Sequence, residues 1–190
     1  IKEYPDRKKL ILDAPGGGLI RAVSKNYMSL VKLLVESGAN INRISETGDY
    51  GSPLIAACGP LIYFVDMAEY LIQAGADVNM VVQHGDFESP LAAAIMGSGK
   101  LKFVKALVVA GADVNQPLKR ARYSSYVAAA AGEGRIHILR YLLDAGATVD
   151  PSLEQGECRE CRKALEAARE LRCSDDDCED SESDMGFGLF

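Results

Sequence analysis

The segment LVKLLVESGANIN, at residues 30–42, recurs three times further along the chain. The later copies are MAEYLIQAGADVN at 67–79, FVKALVVAGADVN at 103–115 and ILRYLLDAGATVD at 138–150. Each copy contains a Gly-Ala pair, beginning at Gly38, Gly75, Gly111 and Gly146. Successive pairs are 37, 36 and 35 residues apart. A period of this length has room for two short helices and a turn, which is typical of a repeat solenoid.

Each copy predicts an amphipathic helix that ends at its glycine. In the first copy, apolar residues at helical spacing predict one buried face: Leu30, Val31, Leu34 and Val35. Glycine has no Cβ, so it readily adopts the left-handed conformation found just after a helix C-terminus. We therefore expect this helix, the second of each unit, to end at the Gly-Ala pair.

Two serine-proline pairs predict where the first helix of a unit begins, in Ser52-Pro53-Leu54 and Ser89-Pro90-Leu91. A serine side chain accepts a hydrogen bond from a free N–H group of the first turn, and proline is tolerated at the next position. The predicted first helix of every unit has an alanine at the same position, at Ala22, Ala57, Ala94 and Ala129. Such a small side chain allows neighbouring first helices to approach closely.

Polar, glycine-containing segments separate one unit from the next. They lie between Asn42 and Ser52, between Asn79 and Ser89, and between Asn115 and Ser124. Their composition suits extended turns that project from the helices. We call them the first, second and third fingers. Each unit is thus predicted to contain a strand, a turn, a helix, a loop and a second helix.

The SPL openings and the AGADVN closing loops resemble those of the ankyrin repeat. The resemblance implies an all-α repeat solenoid, in which helix-turn-helix units with hairpin-like loops stack into a curved array. We assign residues 1–150 to this array, with units at about 15–42, 43–79, 80–115 and 116–150. The fourth unit has Ser124-Ser125-Tyr126 in place of the expected Ser/Thr-Pro-Leu. Two inter-helix loops carry one extra residue, and that of the second unit carries two.

The resemblance implies a non-enzymatic scaffold that binds a protein partner on the concave surface of fingers and first helices. The sequence favours this, because it offers no activated nucleophile or phosphate loop, and the histidines His84 and His137 suit solvated positions. No cofactor or metal is expected. The candidate partner-binding residues lie on the fingers: Arg43, Glu46, Asp49, Tyr50, His84, Asp86, Phe87, Lys119, Arg120, Arg122 and Tyr123. The bases beside Tyr123 favour an acidic or phosphorylated partner there.

Composition argues against several other classes of protein. The formal net charge is −6, but seven acids lie in Ser174–Phe190 without any base, so the rest of the chain is near neutral. This argues against binding to nucleic acid. The longest mainly apolar run, Leu54–Val65, is too short to cross a bilayer. The odd number of cysteines, five, favours a reducing compartment. We predict a monomer in the cytoplasm or nucleus that contacts no membrane.

Residues 151–172 are predicted to form a C-terminal helical cap. Within them, Cys158, Cys161, Leu165 and Ala168 fall on one helical stripe, which would cover the open face of the last unit. The spacing of these cysteines and of Cys173 and Cys178 leaves a zinc-binding module as an alternative. Their place on a core stripe, without a glycine-containing knuckle, favours buried or free thiols.

Residues 173–190 are predicted to be a disordered acidic tail with an apolar end. The apolar side chains suited to docking in a groove are Met185, Phe187, Leu189 and Phe190. The segment SESDMGFGLF, at 181–190, resembles the common C-terminus of the eukaryotic acidic ribosomal stalk proteins. This resemblance implies an adaptor that recruits translation GTPases or ribosome-associated factors. A further alternative is that the acidic residues mask the third finger.

Overall fold

A computed structural model of the protein describes residues 18–46, 49–60, 65–119, 122–149 and 159–170. These residues confirm the predicted all-α repeat solenoid. The first two units contain α1 (Gly18–Ser24), α2 (Met28–Glu36), α3 (Pro53–Cys58) and α4 (Asp66–Gln73). The next two contain α5 (Pro90–Ala92), a π-helix (Ala93–Ser98), α6 (Leu101–Val109), α7 (Tyr126–Gly132) and α8 (Ile136–Asp144), and α9 (Arg159–Glu170) follows. None of the helices described is long and apolar enough to span a membrane.

In every unit, the second helix ends next to its predicted glycine. The φ angles of Gly38, Gly75, Gly111 and Gly146 are 89°, 93°, 93° and 87°. After α6, the amide of Gly111 donates to the carbonyl of Val108 at 3.0 Å, and that of Ala112 donates to Leu107 at 2.9 Å. These bonds satisfy carbonyls of the last helical turn. The same pair follows α2, α4 and α8, so the chain reverses in the same way in every unit.

In three of the units, a serine cap begins the first helix. The Oγ of Ser52 accepts from the amide of Ile55 at 3.3 Å, and that of Ser89 accepts from Ala92 at 3.2 Å. In the fourth unit the cap is Ser125, which accepts from Ala128 at 3.1 Å. The predicted register of this unit was therefore wrong by one residue. Ala130, rather than Ala129, is the equivalent of Ala57, and Tyr126 takes the place of proline.

The extra residue of the third unit lies inside a helix rather than in a loop. The chain takes ten steps from Ser89 to the left-handed Gly99, but nine from Ser125 to the left-handed Gly134. The π-helix Ala93–Ser98 accounts for the difference, because a π-turn holds one more residue than an α-turn. With the register corrected, the fourth unit carries no extra residue.

Tyr126 connects the third and fourth units through a buried hydroxyl group. Its side chain is only 1% exposed. The hydroxyl lies 2.8 Å from the Oγ of Ser89 and donates to the Oε1 of Gln116 at 3.1 Å. Burial raises the pKa of Tyr126 to about 12, although the hydrogen bond with Ser89 opposes the shift.

One asparagine in each of the first three units binds the backbone of the next unit. The Nδ2 of Asn79 donates to the carbonyl of Gly111 at 3.0 Å, and its Oδ1 accepts from the amide of Asp113 at 2.7 Å. The same two bonds join Asn42 to Gly75 and Asp77, and Asn115 to Gly146 and Thr148. Because a side-chain amide both donates and accepts, it fixes the position of one unit against the next.

The core consists of the small first helices and one face of the second helices. The equivalent alanines Ala22, Ala57, Ala94 and Ala130 are at most 3% exposed. Val31 is buried as predicted, but Leu30 is 42% exposed. Its equivalent in the third unit, Phe103, is buried against neighbouring units, whereas no unit precedes the first one within the described residues.

The described parts of the fingers contain no strand, so the prediction of a strand in each unit was wrong. A backbone hydrogen bond closes each finger instead. The amides of Ser45, Val82 and Leu118 donate to the carbonyls of Gly51, Glu88 and Ser124 at 2.9, 2.8 and 3.3 Å. Such a bond gives a hairpin-like loop without strand pairing in the described residues.

Helix α9 packs against α7 and α8 through one apolar stripe. Its buried side chains are Cys161, Ala164, Leu165 and Ala168. Arg140 of α8 donates to the carbonyls of Ala168 and Arg169 at 3.3 and 3.4 Å, near the C-terminus of α9. The limits 151–172 for a cap stay a prediction.

The cysteines give no support to a zinc site. Cys161 is buried, as its place on the apolar stripe predicted, but it is disulfide-bonded, so it is not a thiol. Its partner and Cys158, Cys173 and Cys178 lie outside the described residues. Among the residues that are described, no cluster of three or more His, Cys, Asp or Glu side chains could hold a metal ion.

Asn79→Ala tests the connection between units. We expect the free energy of unfolding to fall by about 1–2 kcal/mol, because the change leaves two backbone groups without their partners at a site that water reaches. Urea unfolding followed by circular dichroism measures the loss. Gln83→Ala, at an exposed position of the second finger, is the control and should change stability by less than about 0.5 kcal/mol. Equal effects of the two variants would contradict the assignment.

Tyr126→Phe tests the buried hydroxyl. The pKa of Tyr126 is about 12 in the native protein and about 10 in the unfolded chain, so between these values only the unfolded chain loses the proton. The free energy of unfolding of the wild type should therefore fall as the pH rises from about 10 to about 12. Urea unfolding across this range should show a smaller fall for Tyr126→Phe. Identical pH dependence of the two proteins would show that the pKa of Tyr126 is not raised in the native protein.

Candidate partner-binding surface

The three fingers contact one another and form a continuous surface. The amide of Asp86, in the second finger, donates to the carbonyl of Asp49 in the first finger at 2.9 Å. The amide of Lys119, in the third finger, donates to the Oε1 of Glu88 in the second at 2.8 Å. Glu88 is only 5% exposed, so its carboxylate is an internal support for the third finger.

Each finger places an aromatic ring against a glycine at the end of the first helix of its own unit. A Cβ atom added to Gly59 would lie 2.8 Å from Cε1 of Tyr50. One added to Gly97 would lie 3.1 Å from Cζ of Phe87. A Cβ on Gly132 would collide with the ring of Tyr123, in the closest of the three approaches. The rings therefore occupy space that any larger residue would fill.

The ring–glycine contact recurs with the repeat. Tyr50, Phe87 and Tyr123 each stand two residues before the cap serine of their unit, and all three are half-buried. Next to Phe87 lies the exposed Pro60, since a Cβ on Gly97 would also lie 3.2 Å from Cδ of Pro60. The fingers thus present one aromatic ring per unit, in a row. We call this row of three rings and its charged neighbours the ring row.

Carboxylates surround the ring of the first finger. Asp49 and Asp86 are both exposed and belong to neighbouring fingers. Burial raises the pKa of Tyr50 above its usual value, and the negative charges of Asp49 and Asp86 raise it further. The proximity of both carboxylates to the Tyr50 hydroxyl makes this end of the ring row acidic.

A basic side chain lies over the ring of the third finger. The guanidinium of Arg122 lies 5.6 Å from the centre of the Tyr123 ring, within cation–π range. The Tyr123 hydroxyl donates to the Oε1 of Glu133 at 3.0 Å. Burial and then this hydrogen bond raise the pKa of Tyr123, and Arg122 lowers it. Lys119 is exposed as well, so this end of the ring row is basic.

The candidate residues predicted from the sequence occupy different environments. Those that are exposed are Glu46, Asp49, His84, Asp86, Lys119 and Arg122. Those that are half-buried are Arg43, Tyr50, Phe87 and Tyr123. Arg120 lies outside the described residues. Their role in binding a partner stays a prediction.

The inner faces of the first helices contribute less to this surface than predicted. Every residue of α3 is buried, and Gly132 is the one exposed residue of α7. The reason is that α3 packs between α1 and α5. The surface therefore consists mainly of the fingers and of the helix ends that they contact.

The glycines under the rings and the buried Glu88 were not predicted from the sequence. A signal for the glycines was present, because Gly59 and Gly132 each follow their cap serine by seven residues. Gly97 follows its serine by eight, owing to the π-turn. No comparable pattern marks Glu88.

Comparison with known families agrees with this architecture. A family model of ankyrin repeats, in three copies, matches residues 19–118, which is more than half of the chain. The match ends within the third finger, and the fourth unit repeats the same helix pair beyond it. No curated protein matches the chain at a significant level.

Gly132→Ala tests the contact between ring and glycine. In a helix, replacing glycine with alanine normally stabilises a protein by about 0.5–1 kcal/mol. Here we expect no gain or a loss, because the added Cβ displaces the ring of Tyr123. Urea unfolding of the wild type and of Gly132→Ala measures the sign of the change in the free energy of unfolding.

The matched control repeats the same change in the Tyr123→Ala background. Without the ring, Gly132→Ala should recover the normal stabilising effect of alanine, so the two substitutions should couple in a double-mutant cycle. Additive effects would mean that the ring and the glycine do not interact.

Proposed function

Because the chain belongs to the ankyrin-repeat family, we propose that it is a non-enzymatic scaffold that recognises a protein partner through the ring row. Ankyrin repeats are in general protein–protein interaction modules. The observation that carries this proposal is the recurrence of a half-buried aromatic ring at the same place in three successive fingers.

The composition of the ring row suits recognition of a protein. Tyrosine and arginine are among the residue types that dominate the free energy of binding at interfaces. Tyr50, Phe87 and Tyr123 are already held against glycine, so they lose little conformational freedom when a partner binds. We assign the rings to the centre of the contact.

Charged and polar residues form the edge of the proposed contact. The acidic members, Glu46, Asp49 and Asp86, belong to the first two fingers, together with Arg43 and His84. The third finger supplies its basic members, Lys119, Arg120 and Arg122. Such edge charges act mainly on the rate of association and on the choice of partner.

The expectations for the C-terminal tail stay predictions. Met185, Phe187, Leu189 and Phe190 lie outside the described residues, so recruitment of translation factors rests on the sequence of 181–190 alone. The monomeric state likewise stays a prediction. The location in the cytoplasm or nucleus stays a prediction too.

Selection of displayed random peptides against the full chain tests the proposed surface. We expect selected peptides to bind Phe87→Ala at least about tenfold more weakly than the wild type, because truncation removes the central ring. Tyr141→Ala is the matched control, since Tyr141 is a half-buried aromatic residue on α8, outside the fingers. Its affinity should match that of the wild type. Peptides that bind equally well to both variants and to the wild type would place recognition elsewhere.

A further inference from the structure

We propose that the ring row recognises a linear peptide segment with a basic end, an apolar centre and an acidic end. The basic end lies over the first and second fingers, and the acidic end lies over the third. This inference rests on the proposed function and adds to it the chemistry and the orientation of the partner.

The first two fingers provide the acidic end of the row. Asp86 and Asp49 are held side by side by the hydrogen bond between their backbones. Gly85 allows this approach, since a Cβ there would lie 2.8 Å from the carbonyl oxygen of Asp49. Both side chains are exposed, as is that of Glu46. The one formal base of these two fingers, Arg43, is half-buried and already has an interaction partner.

The third finger provides the basic end. Residues 116–124 contain Lys119, Arg120 and Arg122 and no acid. The backbone of Lys119 is fixed by the buried carboxylate of Glu88. The nearby Glu133 is engaged by the hydroxyl of Tyr123. Lys119 and Arg122 therefore face solvent from a supported loop.

The centre of the row is apolar. Phe87 has no polar atom in its side chain, and both its ring and Pro60 lie beside Gly97. Along the order of the units, Asp49 precedes this centre and the basic finger follows it, while Asp86 adjoins the first finger through its hydrogen bond to Asp49. A peptide with the complementary order of charges would satisfy both ends at once, while the reverse order would place like charges together.

The length of the row suits an extended segment. Packed helices lie about 10 Å apart, so three successive units place their rings over about 20 Å. An extended chain covers that distance with about six residues, at about 3.3 Å each. Charged residues at both ends bring the segment to about 10–12 residues.

Random peptides of about 12 residues are selected for binding to the full chain. The test uses those peptides whose binding requires Phe87. We expect Lys and Arg to be enriched at one end, Asp and Glu at the other, and apolar residues between them. The paired substitution Asp49→Lys and Asp86→Lys should weaken these peptides about tenfold or more. A peptide whose basic end is changed to Glu should bind this variant better than it binds the wild type.

Two control proteins separate this effect from a change in net charge. Glu36→Lys with Glu69→Lys alters two exposed acids of the second helices by the same total charge, and it should leave affinity unchanged. Lys119→Glu with Arg122→Glu should weaken the same peptides, with recovery when their acidic end is changed to Lys. Thermal unfolding confirms that each variant is folded.

The outcomes distinguish this inference from the proposed function. Peptides that require Phe87 but show no order of charges, or no rescue, would overturn the inference and leave the proposed function standing. If no selected peptide requires Phe87, the proposed function fails as well. A gain of about tenfold in affinity when Asp175, Asp176 and Asp177 are changed to Asn would show that the chain's own tail occupies the row, which also overturns the inference.

Discussion

An aromatic ring lies against a bare glycine in three successive units, and the position of each finger depends on this contact. The ring of Tyr123 fills the space above Gly132, and Tyr50 and Phe87 do the same above Gly59 and Gly97. Because close packing leaves no room for a further methyl group there, the glycine and the ring act as one unit. The finger is thereby fixed on its own helix with its charged side chains directed outward.

The asparagines extend this local arrangement along the solenoid. Asn79 holds the backbone of the next unit through two hydrogen bonds, and Asn42 and Asn115 do the same. The buried alanines of the first helices let the units approach closely enough for these bonds. A contact that forms within one unit is therefore repeated at a constant offset, which places the three rings in one row. Recognition by a solenoid depends on such regular spacing.

The features predictable from the sequence are those set by neighbouring residues. Serine caps and left-handed glycines follow from local backbone chemistry, so helix ends at Ser52 and Gly111 were predictable. The cap at Ser125 was not, because two adjacent serines and the absence of proline leave the register ambiguous. The packing of Tyr123 on Gly132 is a tertiary contact, and the regular spacing of that glycine from its cap serine does not reveal which side chain lies against it. The sequence showed which fingers are acidic and which is basic. That these charges lie along one row could be seen only from the fold.

The proton chemical shifts of the glycine Cα groups test this account most directly. The magnetic field of an aromatic ring displaces the resonances of protons that lie against it, upfield above the face and downfield at the edge. We predict displaced Cα proton resonances for Gly59, Gly97 and Gly132, with the Gly132 displacement lost in Tyr123→Ala. Shifts in the ordinary glycine range at all three positions would show that the rings do not lie on the helices, and the proposed surface would not exist.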